Sequence, residues 1–359
     1  MKKILLILTG GTIGSKLEQQ KIDVDSQAAY WLTHLYREKY GDSLEFEVIQ
    51  PLNVLSENMV PSYWTTLSAV LTNVNCEDYQ GIIITHGSDT LAYTSALIGM
   101  AFHHLPIPIV LIAANYPLKD PRSNGLKNFR SAVCLIIDGR ANGVFTVYQN
   151  AKEENEVFLA TRLLEADSYR DQFRSYGGSC FGRIVNDHLV LNESEENPTL
   201  EEVNQKKQHK LILSTPLKPA VQMIRPYPGM NYRCFDLQHA PKAILHYLYH
   251  SSTACTEGNE YSLLSFMEQC RQREIDVYVA SAKKIEQGAY VTSHSILQYG
   301  AIPLFNISAE AAYCKLFLLY NQSKTVTRQM LQENLYFETL PAICSNDHLH
   351  HREEPGNCC

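Results

Sequence analysis

Three runs in this chain, residues 4–8 (ILLIL), 81–85 (GIIIT) and 108–114 (PIVLIAA), are apolar at nearly every position rather than at every second one. A strand of that kind must be covered on both faces, the condition found inside a parallel sheet flanked by helices. The runs alternate with helical patterns. Residues 3–8, 46–49, 81–85, 108–114 and 143–148 read as strands, the second ended by Pro51. Between them residues 26–40, 64–74, 90–100 and 128–135 read as helices, the first with Trp31, Leu32 and Leu35 on one face and Ser26 as its cap. Strand–helix alternation means an α/β domain with a mostly parallel sheet. The pattern breaks at the polar stretch 186–210 (NESEENPTLEEVNQKKQHK within it), which reads as a linker with a short helix. Beyond it short strands recur at 211–213, 243–247, 277–280 and 301–304, the mark of a smaller second α/β domain with its own parallel sheet. The expected division is therefore 1–187, a linker at 188–210, 211–340, and a tail at 341–359. The tail contains His348, His350, His351, Cys358 and Cys359, read as solvated chain rather than as a metal site. The stretch ENLYFE, residues 333–338, resembles a protease tag, but its last residue differs and a helical pattern leads into it. It reads as native chain.

Bulk properties narrow the partners. The 359 residues carry a formal net charge of -7 and no basic block, which disfavours nucleic acid and anionic membranes. No apolar run approaches the roughly 20 residues of a membrane span. After Lys2 and Lys3 the apolar run is shorter than the about 7–15 residues of a signal-peptide core, so a cytoplasmic protein is expected. Ten cysteines without a C-x-x-C pair agree with free thiols.

Two motifs follow buried strands: LTGGTIGS, residues 8–15, and THGSDT, residues 85–90. In open α/β sheets ligands bind at the carboxyl ends of the strands. Neither motif is a phosphate loop, because G-x-G-x-x-G and G-x-x-x-x-G-K-[ST] are both absent. Alone, the Gly-Gly turn is equally a tight strand exit, and Ser88 or Asp89 equally a helix cap. Together they offer several hydroxyls and a carboxylate. Those groups suit a nucleophile, its activating partner and an anchor for an amino group.

At these residues the chain resembles the bacterial-type asparaginase/glutaminase family, of the cytosolic kind. TGGTIG and THGSDT carry the likeness. Pro51-Leu52, Ser56-Glu57-Asn58-Met59 and Trp64, then Pro121-Arg122-Ser123-Asn124-Gly125, then Gln287-Gly288-Ala289-Tyr290 extend it. The resemblance implies a two-domain α/β fold, no metal and no organic cofactor, and a homodimer or homotetramer whose sites are completed across an intimate dimer. It implies hydrolysis of the side-chain amide of L-asparagine or L-glutamine. On the matching positions Thr12 is the nucleophile, with Ser88 and Asp89 as its catalytic companions. Gly11, Ser56, Glu57, Gly87, Ser88 and Asp89 hold the substrate, and backbone N–H groups around Gly11 and Ser88 serve the oxyanion. Ser88 stands where the family usually has threonine, which keeps the hydroxyl.

Two departures matter. In the segment FLATRLLEA, residues 158–166, ungapped placement puts Glu165 where the family has a lysine that activates the second hydroxyl. A carboxylate there cannot serve as an ammonium, though it can act as a base. Lys152 is nearby in sequence and would substitute only if the loop is rearranged. The loop after TGGTIG, residues 15–29, lacks the family's assisting tyrosine; Tyr30 is the first. Asn124 for the usual aspartate is a smaller change. Three readings follow. The first is an asparaginase-type amidohydrolase. The second is an asparaginase-fold protein that binds an amino acid with little or no turnover. The third is an ammonia-releasing component of a tRNA-linked amidation. Such a component is expected to carry a further N-terminal domain, and strand one begins at residue 3, so it ranks last.

Overall fold

The computed structural model describes residues 3–18, 21–24, 28–150, 154–205, 211, 216–239, 241–282, 290–323 and 325–341. Its first elements are β1 (Lys3–Leu8), β2 (Ser15–Glu18), β3 (Lys21–Val24), α1 (Ala28–Tyr40), β4 (Phe46–Ile49), α2 (Pro61–Thr72), β5 (Tyr79–Thr85) and α3 (Leu91–Phe102). There follow β6 (Ile109–Ile112), α4 (Gly125–Asp138), β7 (Val144–Gln149), β8 (Asn155–Leu159), β9 (Gly182–Val185), β10 (His188–Leu191) and α5 (Leu200–Asn204). The second half has β11 (Val221–Ile224), β12 (Ala243–Tyr247), α6 (Leu263–Arg271), β13 (Asp276–Ala282) and α7 (Val291–Gln298). It ends with β14 (Ile302–Phe305), α8 (Ala309–Gln322) and α9 (Arg328–Gln332).

The first sheet runs β10-β9-β8-β7-β6-β5-β1-β4, and a separate sheet runs β11-β12-β13-β14. Strands β4, β1, β5, β6 and β7 pair in parallel. Their two faces feed two cores: Leu5, Ile7, Ile82, Ile84, Ile109 and Leu111 lie in one, and Ile4, Leu6, Leu8, Ile83, Val110 and Ile112 in the other. This accounts for the unbroken apolar runs. Each such side chain contributes about 1.5–3 kcal/mol by leaving water. On one face α4 lies close, because a Cβ at Gly81 would stand 2.8 Å from the Ile136 side chain.

The sequence expectation holds for these parallel strands and needs three amendments beyond them. Strands β8, β9 and β10 continue the first sheet antiparallel. The first sheet therefore reaches Leu191, inside the stretch read as linker; only α5 there, with its Thr199–Glu202 capping box, matches the expected short helix. In the second sheet, which is parallel throughout, the first strand is β11. The strand expected at 211–213 falls largely outside the described residues. So do Ser26, Lys152, residues 287–289 of the third family-like stretch, and residues 342–359 of the tail.

The two halves are bound together by α8 against α3 and by the segment after α9. Val144 N donates to Tyr336 Oη at 2.8 Å, while the Tyr336 carbonyl accepts from Thr161 Oγ1 at 2.5 Å. The Glu338 carboxylate, fully buried, pairs with Lys315 Nζ at 2.9 Å and accepts from the N–H groups of Leu335 and Tyr336. Leu340 N then donates to Asn306 O beside β14. The tag-like stretch is thus an integral part of the core.

Candidate functional site

Three loops meet at the carboxyl edge of β4, β1 and β5. Gly10 and Gly11 leave β1 with φ of +104° and +74°, and a Cβ at either would collide with backbone. At Gly10 it would lie 2.3 Å from Val54 O, and at Gly11 2.3 Å from Gly87 N. A Cβ at Gly87 would meet Ser56 Oγ at 2.4 Å. The glycines are therefore required by close approach of three backbones, which only residues without Cβ permit. Backbone bonds secure the junction: Gly11 N to Val54 O at 2.9 Å and Val54 N to Thr9 O at 3.0 Å. Thr9 Oγ1 also donates to Thr85 O at 2.7 Å.

This packing brings most of the sequence-selected residues together. Thr12 opens a short 3-10 turn, Thr12–Gly14, and is half-buried. Ser56, buried, opens another, Ser56–Asn58, and its Oγ donates to the Asp89 carboxylate at 3.3 Å. Thr90 Oγ1 donates to Ser56 O at 2.9 Å. The N-cap of α3 is Thr90, with no side-chain capping bond, so the helix-cap reading of Ser88 and Asp89 falls away. Asp89 is exposed and Ser88 half-buried, open to a ligand; Glu57 is also exposed. The Gly11 N–H is occupied by Val54 O. Among the described residues the N–H groups of Thr12 and Ser88 carry no such backbone bond.

Glu165 sits differently. After β8 the chain turns through Ala160–Arg162, whose Arg162 is buried. Its Nε donates to Phe337 O at 2.7 Å, and burial lowers its pKa to about 10. Three residues on, Glu165 is exposed and accepts a 2.7 Å hydrogen bond from Tyr93 Oη. Tyr93 is one helical turn beyond Asp89. Burial, then the bond to Glu165, pushes its pKa up, so the phenol stays a donor. The Glu165 backbone N donates to the buried Glu310 carboxylate at 3.3 Å, and burial raises the pKa of Glu310. The position expected to offer a cation therefore holds an acid, with a second acid, Glu310, and the Tyr93 phenol as its partners.

Sequence reasoning did not find Tyr93, Glu310 or the part played by residues 336–338. It flagged Asn124 only as an exchange for aspartate. The structure uses both ends of its amide: Oδ1 accepts from Asn115 N at 3.0 Å and Nδ2 donates to Gln149 O at 3.0 Å. An aspartate could not make the second bond. Among the described residues no three His, Cys, Asp or Glu side chains converge as metal ligands. No helix there is long and apolar enough to cross a membrane.

Comparison with known proteins identifies the family and the fold. Residues 3–197 match the family described as Asparaginase, N-terminal. A glutamyl-tRNA(Gln) amidotransferase subunit from Aeropyrum pernix is 25% identical over 356 residues, covering 93% of this chain and 78% of that protein. L-asparaginase of Thermococcus kodakarensis is 24% identical over 344 residues, covering 93% of this chain and 98% of its own. The solved structure of the thermostable L-asparaginase from Thermococcus kodakarensis superposes with a TM-score of 0.73 at 24% identity, over 95% of this chain and 100% of that one.

Proposed function

Since this chain belongs to the asparaginase family, we propose that it hydrolyses the side-chain amide of L-asparagine, and of L-glutamine as a second substrate, to the acid and ammonia. The observation that carries this reading is the three-loop junction. Gly11, next to Thr12, packs on Gly87, next to Ser88, and Ser56 bonds to Asp89, which supports these residues acting on one substrate. Thr12 Oγ attacks the amide carbon, its proton passing to a base. The oxyanion forms against the Thr12 and Ser88 N–H groups. Protonation of the leaving nitrogen releases ammonia and leaves an ester on Thr12, which water hydrolyses. The exposed Asp89 carboxylate, steadied by Ser56, holds the substrate's ammonium, with Glu57 and Gly87 lining the same opening. The protein works in this account as a homo-oligomer in the cytoplasm, the compartment in which thiols stay reduced.

The decisive assay is ammonia release from asparagine and glutamine by the purified protein beside Thr12→Ala. Release by the wild type and at least about 10³-fold less by the variant is expected. Release equal in both removes Thr12 from the mechanism. No release from either, with amino-acid binding retained, favours the second reading, a binding protein with little turnover. The Tyr93–Glu165 bond supports that reading, because it leaves the lysine position acidic. Similarity to glutamyl-tRNA(Gln) amidotransferase components raises the third reading, ammonia release for a tRNA-linked amidation, above the rank its sequence features give it. Glutamine hydrolysis only in the presence of a partner protein would select it.

A further inference from the structure

The Gly87–Ser88 peptide has an unusual requirement. Its N–H must face the substrate, yet its orientation rests on a glycine, the residue with the least intrinsic preference. In a trans peptide the carbonyl and the N–H point in opposite directions, so whatever holds Gly87 C=O aims Ser88 N–H. The structure shows what holds it: His86 Nδ1 lies 2.8 Å from Gly87 O. A carbonyl only accepts, so Nδ1 carries the proton and the imidazole is the Nδ1–H tautomer. The ring is fully buried, and its own backbone is pinned by His86 N to Ile112 O at 2.8 Å. The other ring nitrogen, Nε2, is buried with no hydrogen-bond partner among the described residues. Leaving such an atom unsatisfied costs about 1–3 kcal/mol. A leucine would fill the space without that cost, so packing alone does not account for an imidazole here; the Nδ1–H bond does.

We propose that His86 is a positioning residue that fixes the Gly87–Ser88 peptide with the Ser88 N–H aimed at the substrate carbonyl. The inference deepens the proposed reaction and rests on it for its kinetic consequence. Burial holds the imidazole neutral, with its pKa lowered to about 4, so the tautomer persists across the working pH range.

The test compares His86→Leu, His86→Gln and His86→Asn in the intact protein. Asparagine Nδ2 falls close to the place of imidazole Nδ1, whereas glutamine places its amide nearer Nε2. Leu and Gln should lower kcat by about 10²-fold, the value of one oxyanion donor, with KM changed less than about twofold. Asn should recover at least about tenfold of that loss. A kcat unchanged in His86→Leu, or Asn falling as far as Leu, overturns the proposal. A crystal structure of His86→Leu gives a readout that needs no turnover. The Gly87 carbonyl is expected to rotate away from its wild-type direction; an unmoved peptide overturns the inference. If the wild type releases no ammonia but the peptide rotates, the proposed reaction fails and the positioning stands.

Discussion

The two sides of the site are built in different ways. On the β1, β4 and β5 side, position is set by close approach at glycines: Gly10 and Gly11 lie on the backbones of Val54 and Gly87, and Gly87 on the Ser56 side chain. On the β8 side, position is set by side chains reaching across the molecule: Arg162 to Phe337, Thr161 to Tyr336, Glu165 to Tyr93. On the first side a Cβ added at Gly10 or Gly11 collides with main chain, and one at Gly87 with Ser56. The second can exchange a residue at an exposed position and find new partners. The first side carries the TGGTIG and THGSDT motifs, and the second holds Glu165 where the sequence placement expects a lysine.

The sharpest way to break this comparison is Gly11→Ala. Its Cβ would lie 2.3 Å from Gly87 N at a φ of +74°, so the loops must separate by about 1 Å. Misplacement of that size costs on the order of 10² in rate. Wild-type ammonia release from this variant would show that the junction is not rigid. Acid is the next probe, because it reaches both halves of the chain. His86 beside the junction and His246 in β12 are both buried, and burial lowers both pKa values from 6.5 to about 4. The unfolded chain therefore binds these protons first. Stability is full above the unfolded value of 6.5, and falls as pH drops from there to about 4. Each histidine contributes on the order of 3 kcal/mol. Urea midpoints measured against pH should fall across that window, and His86→Asn should shallow the slope; a flat profile would refute the burial argument. Glu165→Lys is the mildest. It replaces a carboxylate by an ammonium beside Glu310, and ammonia release should rise about tenfold, or about 1.4 kcal/mol of barrier. An unchanged rate would mean the β8 side has been rebuilt around a different solution.

The same contrast explains what the sequence made legible. Strands β1, β5, β6 and β7 announce themselves by local apolar runs, and the hydroxyl-rich loops follow directly from them. Strands β9 and β10 are four residues each and alternate in burial, so β9 drew no assignment and β10, in a polar neighbourhood, reads as linker. Thr12, Ser56, Ser88 and Asp89 belong to compact motifs, whereas the surroundings of Glu165 do not. Tyr93 and Glu310 reach Glu165 from 72 and 145 residues away, a distance over which no periodicity speaks. The amide at Asn124 was visible only as an exchange, because its use depends on Gln149 arriving beside it.

The seat that Tyr336 takes on Val144 has a consequence for how the molecule is made. The two residues are 192 positions apart. At a synthesis rate of about 5–20 residues per second, the Val144 N–H waits roughly 10–40 s before the phenol oxygen that receives it emerges. Throughout that interval the turn at Arg162 has a guanidinium and no Phe337 carbonyl to receive it. The larger half of the protein is therefore born with a place held open, and the piece that closes it arrives only after 192 further residues have been made.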